Sequence, residues 1–347
     1  MIVFNISKET EKRMKKLMGV YGMNDLFASV KEKVVKAYPT IVFPEGTDER
    51  ILEAAGRLST EGVLKPVLLG DEKEIQALIE EKGLSFKDVE IINPKSYDKM
   101  DEMIEAFVER RKGKETKEEA ATILLNENYF GTMLTYMGKV NGLVSGAVHS
   151  TGDTVRPALQ IIKTKEGVKR TSGTFLMVRG EEKYIFSDCA INIAPDSETL
   201  AEIAVESAET AKIFGIEPKV AMLSFSTKGS ADSEEVDKVV EATKLAQQRR
   251  PDLLIDGEFQ FDAAFVPSVA KKKAPDSPLK GEANVFVFPS LEAGNIGYKL
   301  TERLGNFEAI GPILQGLNQP VNDLSRGCNA EDVYKLALIT AMQSLIE

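Results

Sequence analysis

The chain has 347 residues, of which 43% are apolar and 28% are charged, and it has no Trp, a composition typical of a soluble α/β enzyme with about two domains. The formal net charge of −10 argues against nucleic acid as the main partner, although a local group of arginines can still hold a small anion. No apolar run approaches the roughly 18 residues that a membrane span needs, and the first residues carry no secretory pattern.

Strands and helices alternate along the first part of the chain, which predicts β-α-β units and a parallel sheet. The predicted strands are 40–43, 67–69, 89–92 and 143–145, and the predicted helices include 51–58, 72–81, 98–112, 117–126 and 130–137. A further helix is expected from Val155. Asp153 or Thr154 would cap it, and Pro157 would lie in its first turn.

The middle of the chain changes character, because 174–178 and 183–191 predict an antiparallel hairpin around 180–182. Helices then follow at 197–214, 233–248 and 292–304, with strands at 220–225, 253–256 and 285–288, and a final helix opens at Asn329. The pattern predicts an N-terminal extension, 1–22, and a discontinuous first domain, 23–165 plus 314–347. A second domain, 166–313, would be inserted into it, and the loops that carry function would line a cleft between the two.

The segment 321–332, VNDLSRGCNAED, is the most informative part of the chain. It places Ser325 and Arg326 in a glycine-containing turn directly before a helix whose first turn carries Asp332. Unpaired N–H groups at a helix start attract anions, and an arginine fork fits phosphate or carboxylate. Asn329 and Asp332 also have the spacing of a capping box, so the carboxylate could serve the helix start, the chemistry or both.

A second polar segment, HSTGDTVRP at 149–157, contains the only histidine of the chain, His149. It offers hydroxyls, a glycine that allows close approach of the backbone, and an arginine near a helix start, where a cation is unfavourable unless an anion is bound. A capped helix with an outward arginine explains the segment equally well. The candidate phosphate-binding residues are Ser150, Thr151, Gly152, Thr154 and Arg156.

The remaining candidates are weaker. The loop 224–230 and the segment 288–299, which contains Tyr298 and Lys299, each follow a strand and precede a helix, as ordinary turns also do. Arg110 belongs to a basic run that suits the end of its helix. Classical ATP and dinucleotide fingerprints are absent. The two cysteines, Cys189 and Cys328, fit neither a disulfide framework nor a zinc site, which predicts a reduced, cytoplasmic protein.

Together, five segments closely resemble the phosphate acetyltransferase (phosphotransacetylase) members of the phosphate acetyl/butyryltransferase family. They are SGAVHSTGDTVRPALQ, VAMLSFSTKGS, IDGEFQFDAA, FPSLEAGNIGYK and PVNDLSRGC. The resemblance runs in order from about residue 23 to the C-terminus and is similar to the short, single-module form. It implies two three-layer α/β/α domains with a cleft between them, similar to the isocitrate and isopropylmalate dehydrogenases, and a homodimer.

The resemblance also implies the chemistry and the roles. The reaction would be acetyl-CoA + phosphate ⇌ acetyl phosphate + CoA, with CoA as a substrate, no tightly bound cofactor and no metal. Asp332 would take the thiol proton, Ser325 and Arg326 would contact the substrate, and Arg110 and Arg156 would bind CoA.

Three alternatives stay open at this point. Phosphate butyryltransferase has the same chemistry, and the acyl pocket has no signature in the sequence. A metal- and NAD(P)-dependent decarboxylating dehydrogenase would need a group of acidic ligands, for which Asp188, Asp256 and Asp262 are available. A non-catalytic sensor of acyl-CoA or acetyl phosphate is the third.

Overall fold

The computed structural model describes residues 20–346, with side chains from Phe27 onward. Most of the predicted extension 1–22 therefore lies outside the described residues, and the helix Val20–Ala37 begins at its end. The described chain forms two compact units. The first comprises Val30–Gly173 and the residues from Gly311 onward, and the second is centred on Thr174–Ile310. The domain division at 165/166 and 313/314 stays a prediction.

The first unit contains a five-stranded sheet with the order β11-β4-β1-β2-β3. Its strands are β1, β2, β3, β4 and β11, at Thr40–Phe43, Lys65–Leu69, Glu90–Ile92, Gly142–Ser145 and Val321–Asp323. All four strand pairings are parallel, so the carboxyl ends of these strands meet at the same edge.

Strands β1, β2 and β4 are almost continuously buried, because helices cover both faces of a parallel sheet. The helices of this unit are Glu49–Thr60, Glu72–Glu81, Met100–Arg110, Lys117–Ile123, Glu127–Tyr136, Thr151–Pro157 and Ala330–Gln343. A 3-10 turn at Pro94–Ser96 and a π-helical turn at Ala158–Ile162 complete it. The final helix packs on the helix Glu49–Thr60 and on strands β1 and β4.

The second unit is built on a six-stranded sheet with the order β10-β5-β6-β9-β7-β8. Strands β5 and β6 form the predicted antiparallel hairpin, whereas β6, β9, β7 and β8 pair in parallel. These strands are Ser172–Arg179, Glu182–Ser187, Lys219–Leu223, Leu254–Phe259, Val285–Val287 and Glu308–Gln315, for β5 to β10 in order. The helices are Ser197–Ile213, Glu234–Arg249, Phe261–Phe265, Pro267–Lys273 and Leu291–Gly305.

The predicted α/β class is confirmed, and most predicted elements lie within a few residues of the observed ones. The elements that were not predicted are the helix Val20–Ala37, the turns Pro94–Ser96 and Ala158–Ile162, the strands β10 and β11, and the short helices Phe261–Phe265 and Pro267–Lys273. No helix in residues 20–346 combines the length and the apolar character that crossing a membrane requires.

Candidate active site

Two segments of the first unit leave neighbouring strands side by side. Asp323 of β11 pairs with Ser145 of β4, and Leu324 N donates to the carbonyl of Ser145 at 2.7 Å. We call residues 146–150 the β4 loop and residues 324–328 the Ser325 turn. Because both follow parallel strands at the same edge of the sheet, the two segments that looked most informative in the sequence start next to each other.

The β4 loop is held by Glu45, which directly follows β1 and which the sequence analysis missed. One carboxylate oxygen accepts from the backbone N–H groups of Gly146 (3.1 Å) and Ala147 (2.8 Å). The other accepts from the N–H groups of Val148 and His149, both at 2.8 Å, and lies 2.8 Å from His149 Nδ1. Burial raises the pKa of Glu45, but these hydrogen bonds outweigh it and leave the pKa lowered. The carboxylate therefore stays charged and fixes the loop.

The helix Thr151–Pro157 begins differently from the prediction. Ser150 is its N-cap, and Asp153 Oδ2 accepts from Ser150 N (3.1 Å) and Ser150 Oγ (2.7 Å). The expected cap at Asp153 or Thr154 is therefore wrong, and Pro157 ends the helix instead of lying in its first turn. The cause is that Ser150 and Asp153 together form a capping box, which satisfies two donors at once.

This start of the helix leaves some of the candidate phosphate ligands accessible. Thr151 and Gly152 are exposed at the first turn, whereas Thr154 is buried. Arg156 is exposed in the last turn, and its guanidinium has no hydrogen bond or ion pair to any other residue of the described chain. The structure thus brings Thr151 and Gly152 close to the end of the β4 loop, while the proposed roles of all these residues stay predictions.

The Ser325 turn is closed by a hydrogen bond from Cys328 N to the carbonyl of Ser325 at 2.8 Å. Ser325 and Arg326 are both exposed. Within residues 27–346, the guanidinium of Arg326 makes no hydrogen bond or ion pair, so its five donors remain available to an anion. The turn therefore presents a hydroxyl and a free guanidinium next to each other.

Asp332 lies in the first turn of the final helix and is partly exposed. Its Oδ2 accepts from Asn329 N at 2.9 Å, and Asn329 Oδ1 accepts from Asp332 N at 3.0 Å, which is the predicted capping box. Oδ1 of Asp332 has no hydrogen-bond partner among the described residues. The cap therefore uses one carboxylate oxygen and leaves the other for chemistry.

Cys328 follows the turn and is buried. Burial raises the pKa of its thiol to about 11, although the charge of Arg50 lowers it in part. At neutral pH the sulfur is therefore protonated, and a thiol is a poor nucleophile compared with a thiolate.

Asp323 is the buried carboxyl group between the two segments, with only 1% of its surface exposed. Its Oδ1 has no hydrogen-bond partner among the described residues, and a Cβ at Gly146 would collide with it. Gly146 also has a φ of 110°, which other residues rarely adopt. Burial raises the pKa of Asp323 to about 6.

Asp323→Asn should therefore alter the dependence of stability on pH. The folded state binds this proton more tightly than the unfolded state, so the wild-type protein loses stability as pH rises from about 4 to about 6. The amide removes that loss, and the stability of the variant relative to wild type should rise by roughly 2 kcal/mol between pH 4.5 and pH 7.5.

Urea unfolding at both pH values measures this difference. Asp252→Asn is the control, because Arg250 lowers the pKa of that exposed carboxyl to about 2, so the shift has the opposite sign. If the free energy of unfolding of Asp323→Asn differs from that of wild type by the same amount at both pH values, the raised pKa of Asp323 is contradicted.

A cavity of about 540 Å³ opens at the carboxyl ends of β1 and β2. Its charged lining residues are mostly acidic, namely Glu45, Asp48, Asp71, Glu74 and Glu127, with Lys95 and His149 beside them. Such a lining repels phosphate, so an anionic substrate is better served by the exposed guanidinium of Arg326.

Arg110, the candidate for CoA binding, is engaged within the first unit. It donates to the carbonyls of Ile161 and of Ile162 (2.9 Å), and its guanidinium carbon lies 4.7 Å from the ring centroid of Tyr136. The pKa of the nearby Lys163 is lowered, first by the charge of Arg110. The surroundings of Arg110 are therefore positively charged, as a site for CoA phosphates requires, and its role stays a prediction.

Tyr298 and Lys299 belong to the second unit, on the helix Leu291–Gly305. The ring of Tyr298 stacks on Phe175 with 4.1 Å between centroids, and Lys299 Nζ lies 4.9 Å from the Tyr298 centroid. Tyr298 and Lys299 therefore belong to a different unit from the Ser325 turn, and their proposed contact with substrate stays a prediction.

The acidic residues that a metal-dependent dehydrogenase would need are held by other groups. Asp188 accepts from the backbone N–H groups of residues 190–192, Asp256 binds Lys228 (2.6 Å) and Ser277 (2.7 Å), and Asp262 binds Lys273 (2.9 Å). These hydrogen bonds and ion pairs account for all three carboxylates, so the geometry of these residues does not favour a metal-dependent dehydrogenase.

Comparisons with known proteins agree over nearly the whole chain. Residues 25–341 match the sequence model of the family described as phosphate acetyl/butaryl transferase. The chain is 69% identical over 323 residues to the phosphate acetyltransferase of Bacillus subtilis (strain 168), covering 93% of this chain and 100% of that protein. It is 60% identical to a phosphotransacetylase of known structure from Streptococcus pyogenes, with a TM-score of 0.91 over 93% of this chain and 99% of the other.

A more distant likeness concerns the fold alone. A putative 4-hydroxythreonine-4-phosphate dehydrogenase from Salmonella typhimurium shares 13% identity, with a TM-score of 0.53 over 88% of this chain and 99% of that one. The expected relation to a dehydrogenase-like fold is thereby confirmed.

Proposed function

The chain belongs to the phosphate acetyl/butaryl transferase family, and on that basis we propose that it transfers an acetyl group reversibly between coenzyme A and phosphate. The observation that carries the proposal is the Ser325 turn. There a free guanidinium and a hydroxyl precede a helix whose first carboxylate, Asp332, keeps one oxygen unpaired among the described residues.

In the direction of acetyl-CoA synthesis, Asp332 takes the proton of the CoA thiol. The thiolate sulfur then attacks the carbonyl carbon of acetyl phosphate, a carbon–sulfur bond forms, and the carbon–oxygen bond to phosphate breaks. The departing phosphate takes up the proton held by Asp332, which is again a carboxylate at the end of the turnover. Arg326 holds the phosphate through paired hydrogen bonds, and the hydroxyl of Ser325 donates to the carbonyl oxygen as negative charge develops there. The reverse reaction runs through the same steps.

Transfer is direct, without an acyl-enzyme. Cys328 is the only nucleophilic side chain of the Ser325 turn other than the Ser325 hydroxyl, and its pKa of about 11 keeps it protonated at neutral pH. A ternary complex of both substrates therefore explains the chemistry with the residues at hand.

The β4 loop and the helix after it supply further phosphate contacts in this proposal. Thr151 and Gly152 are exposed at the helix start and are better placed for this than the buried Thr154. Ser150 already donates to Asp153. Arg110 and Arg156 bind the phosphates of CoA, which acts as a substrate and not as a tightly bound cofactor. Tyr298 and Lys299 are proposed to contact the substrate.

We also propose a homodimer. One face of the helix Leu291–Gly305 carries Ile296, Leu300 and Leu304, which are 53%, 52% and 79% exposed, at a spacing of four residues. A second copy of the chain would bury this stripe. Light scattering should show a dimer for the wild type and a monomer for Leu304→Glu, whereas an unchanged mass of the variant would move the interface elsewhere.

A cytoplasmic location fits the two cysteines, both of which are free and buried. Fractionation of cells tests it.

One assay tests the function. Purified protein is mixed with CoA and acetyl phosphate, and formation of the thioester is followed by its ultraviolet absorbance together with its reversal by added phosphate. Propionyl and butyryl phosphate measure the acyl preference, and NAD(P)⁺ with a divalent metal tests the dehydrogenase alternative. Absence of thioester formation, or a clear preference for butyryl phosphate, would overturn the proposal.

A further inference from the structure

Arg50 lies in the first turn of the helix Glu49–Thr60, five residues after Glu45. Its Nη1 donates to the carbonyls of Arg326 (2.9 Å) and Cys328 (3.2 Å), both in the Ser325 turn. Its Nη2 donates to the carbonyl of Ala147 (2.8 Å), in the β4 loop. A single side chain therefore connects the two segments of the candidate active site.

The rest of the guanidinium is held by Asp48, the N-cap of the same helix. Nε donates to Asp48 Oδ1 at 3.0 Å, and Nη2 donates to Asp48 Oδ2 at 2.8 Å. All five N–H groups of Arg50 are thus engaged, although 30% of the side chain is exposed. Arg50 has no donor left for a substrate, in contrast to Arg326 on the turn that it holds.

Glu45 binds backbone N–H groups, whereas Arg50 binds backbone carbonyl groups. Glu45 accepts from the N–H groups of the β4 loop, and Arg50 donates to carbonyls of that loop and of the Ser325 turn. The distance between the turn that carries Ser325 and the loop that leads to Thr151 is therefore set by side chains from one short segment, residues 45–50.

We propose that Arg50 is a positioning residue for acyl transfer, which fixes the Ser325 turn against the β4 loop so that hydroxyl, guanidinium and phosphate contacts align. The inference rests on the proposed function, because alignment is measured by catalysis. Reactive groups tolerate little displacement, and a shift of about 1 Å can cost roughly 100-fold in rate.

Lysine cannot replace Arg50 in this role. An ammonium group has three donors around one nitrogen, whereas the observed contacts need a planar fork that spans three carbonyls and a carboxylate. Arg50→Lys keeps the positive charge and removes the planar fork of donors. It therefore separates the contribution of the charge from that of the hydrogen-bond geometry.

The first experiment compares Arg50→Gln and Arg50→Lys with Arg57→Gln. Arg57 lies two turns later on the same helix, binds Glu331 at 2.8 Å and stacks on Tyr334. It contacts neither the β4 loop nor the Ser325 turn, so it is a matched control for loss of an arginine from this helix. We expect kcat to fall at least 30-fold in both Arg50 variants and less than threefold in Arg57→Gln, with KM for CoA within threefold of wild type. Thermal unfolding and circular dichroism establish the folded fraction to which each kcat is normalised.

The second experiment is a double-mutant cycle with Ser325→Ala. If Arg50 acts by holding the turn, part of its effect passes through the Ser325 hydroxyl, and the loss of kcat in Arg50→Lys/Ser325→Ala should be at least fivefold smaller than the product of the two single losses. Arg57→Gln/Ser325→Ala should show independent, multiplicative losses.

The outcomes are distinct. An Arg50 variant with the kcat of Arg57→Gln, or fully multiplicative losses with Ser325→Ala, would overturn the positioning role while the wild-type activity stands. A wild-type protein that forms no thioester would overturn the proposed function itself. If Arg50→Gln does not fold, Arg50→Lys and its cycle still decide.

Discussion

Asp332→Asn is expected to lower kcat at least 100-fold and to leave thermal stability nearly unchanged. General base catalysis contributes roughly 10² to 10⁴ in rate, and an amide cannot take the thiol proton. The amide oxygen can still accept from Asn329 N, which is the cap that the carboxylate now makes at 2.9 Å. Steady-state kinetics with saturating CoA and acetyl phosphate, together with the unfolding midpoint, measure the two effects separately.

The cap itself has a matched control elsewhere in the chain. Thr116 and Glu119 form a capping box at the helix Lys117–Ile123, with hydrogen bonds of 2.8 and 3.2 Å. Glu119→Ala removes the hydrogen bond from Thr116 N, which is the counterpart of the one that Asp332 accepts, without touching the site. It should cost about 1 kcal/mol in stability and no activity. Two results together would show that Asp332 only caps its helix. One is a normal kcat for Asp332→Asn, and the other is a loss of stability in Asp332→Ala equal to that in Glu119→Ala.

Arg326→Gln is expected to lower kcat/KM for acetyl phosphate 100-fold or more. One well-placed donor to developing charge is worth about 3–4 kcal/mol, and Gln cannot supply the paired, charged contact of a guanidinium. The KM values for acetyl phosphate and for phosphate should rise, whereas KM for CoA should stay within a few-fold of wild type. Initial rates in both directions provide all three constants.

Arg303→Gln is the control for loss of a surface charge, since that side chain is 80% exposed and lies 3.5 Å from Glu302. Both substitutions remove one positive charge, and only Arg326 lies in the Ser325 turn. Equal kinetics for the two variants, or an effect of Arg326→Gln confined to CoA, would remove Arg326 from the phosphate site.

Local sequence patterns predicted the parts of the site that local chemistry builds. The capping box of Asn329 and Asp332 spans three residues and has one plausible partner at each end, so spacing alone identified it. Residues 150–154 are all of types that can cap a helix, and the prediction of Asp153 or Thr154 was wrong, because Ser150 is the N-cap and Asp153 accepts from it.

Contacts between residues that are distant in the sequence could not be predicted from local patterns. Glu45 binds backbone groups about 100 residues later, and Arg50 binds carbonyls 276 and 278 residues later, so no local spacing marks either side chain. Strand β11 has three residues, too few for a periodic pattern, and β10 contains Gly311 and Pro312, which usually interrupt a strand. The catalytic roles of Ser325, Arg326 and Asp332 stay predictions until the variants are measured.

The pairing of β11 with β4 has a consequence for synthesis of the protein on the ribosome. β4 ends at Ser145, but its edge is covered only by residues 321–323, after the whole segment Thr174–Ile310 has been translated. A nascent chain therefore exposes unpaired N–H and C=O groups along β4 while residues 146–320 are translated, and an exposed strand edge invites pairing with other chains. Residues 321–325 both cover that edge and bring in Ser325, so protection from aggregation and completion of the active site arrive in the same step.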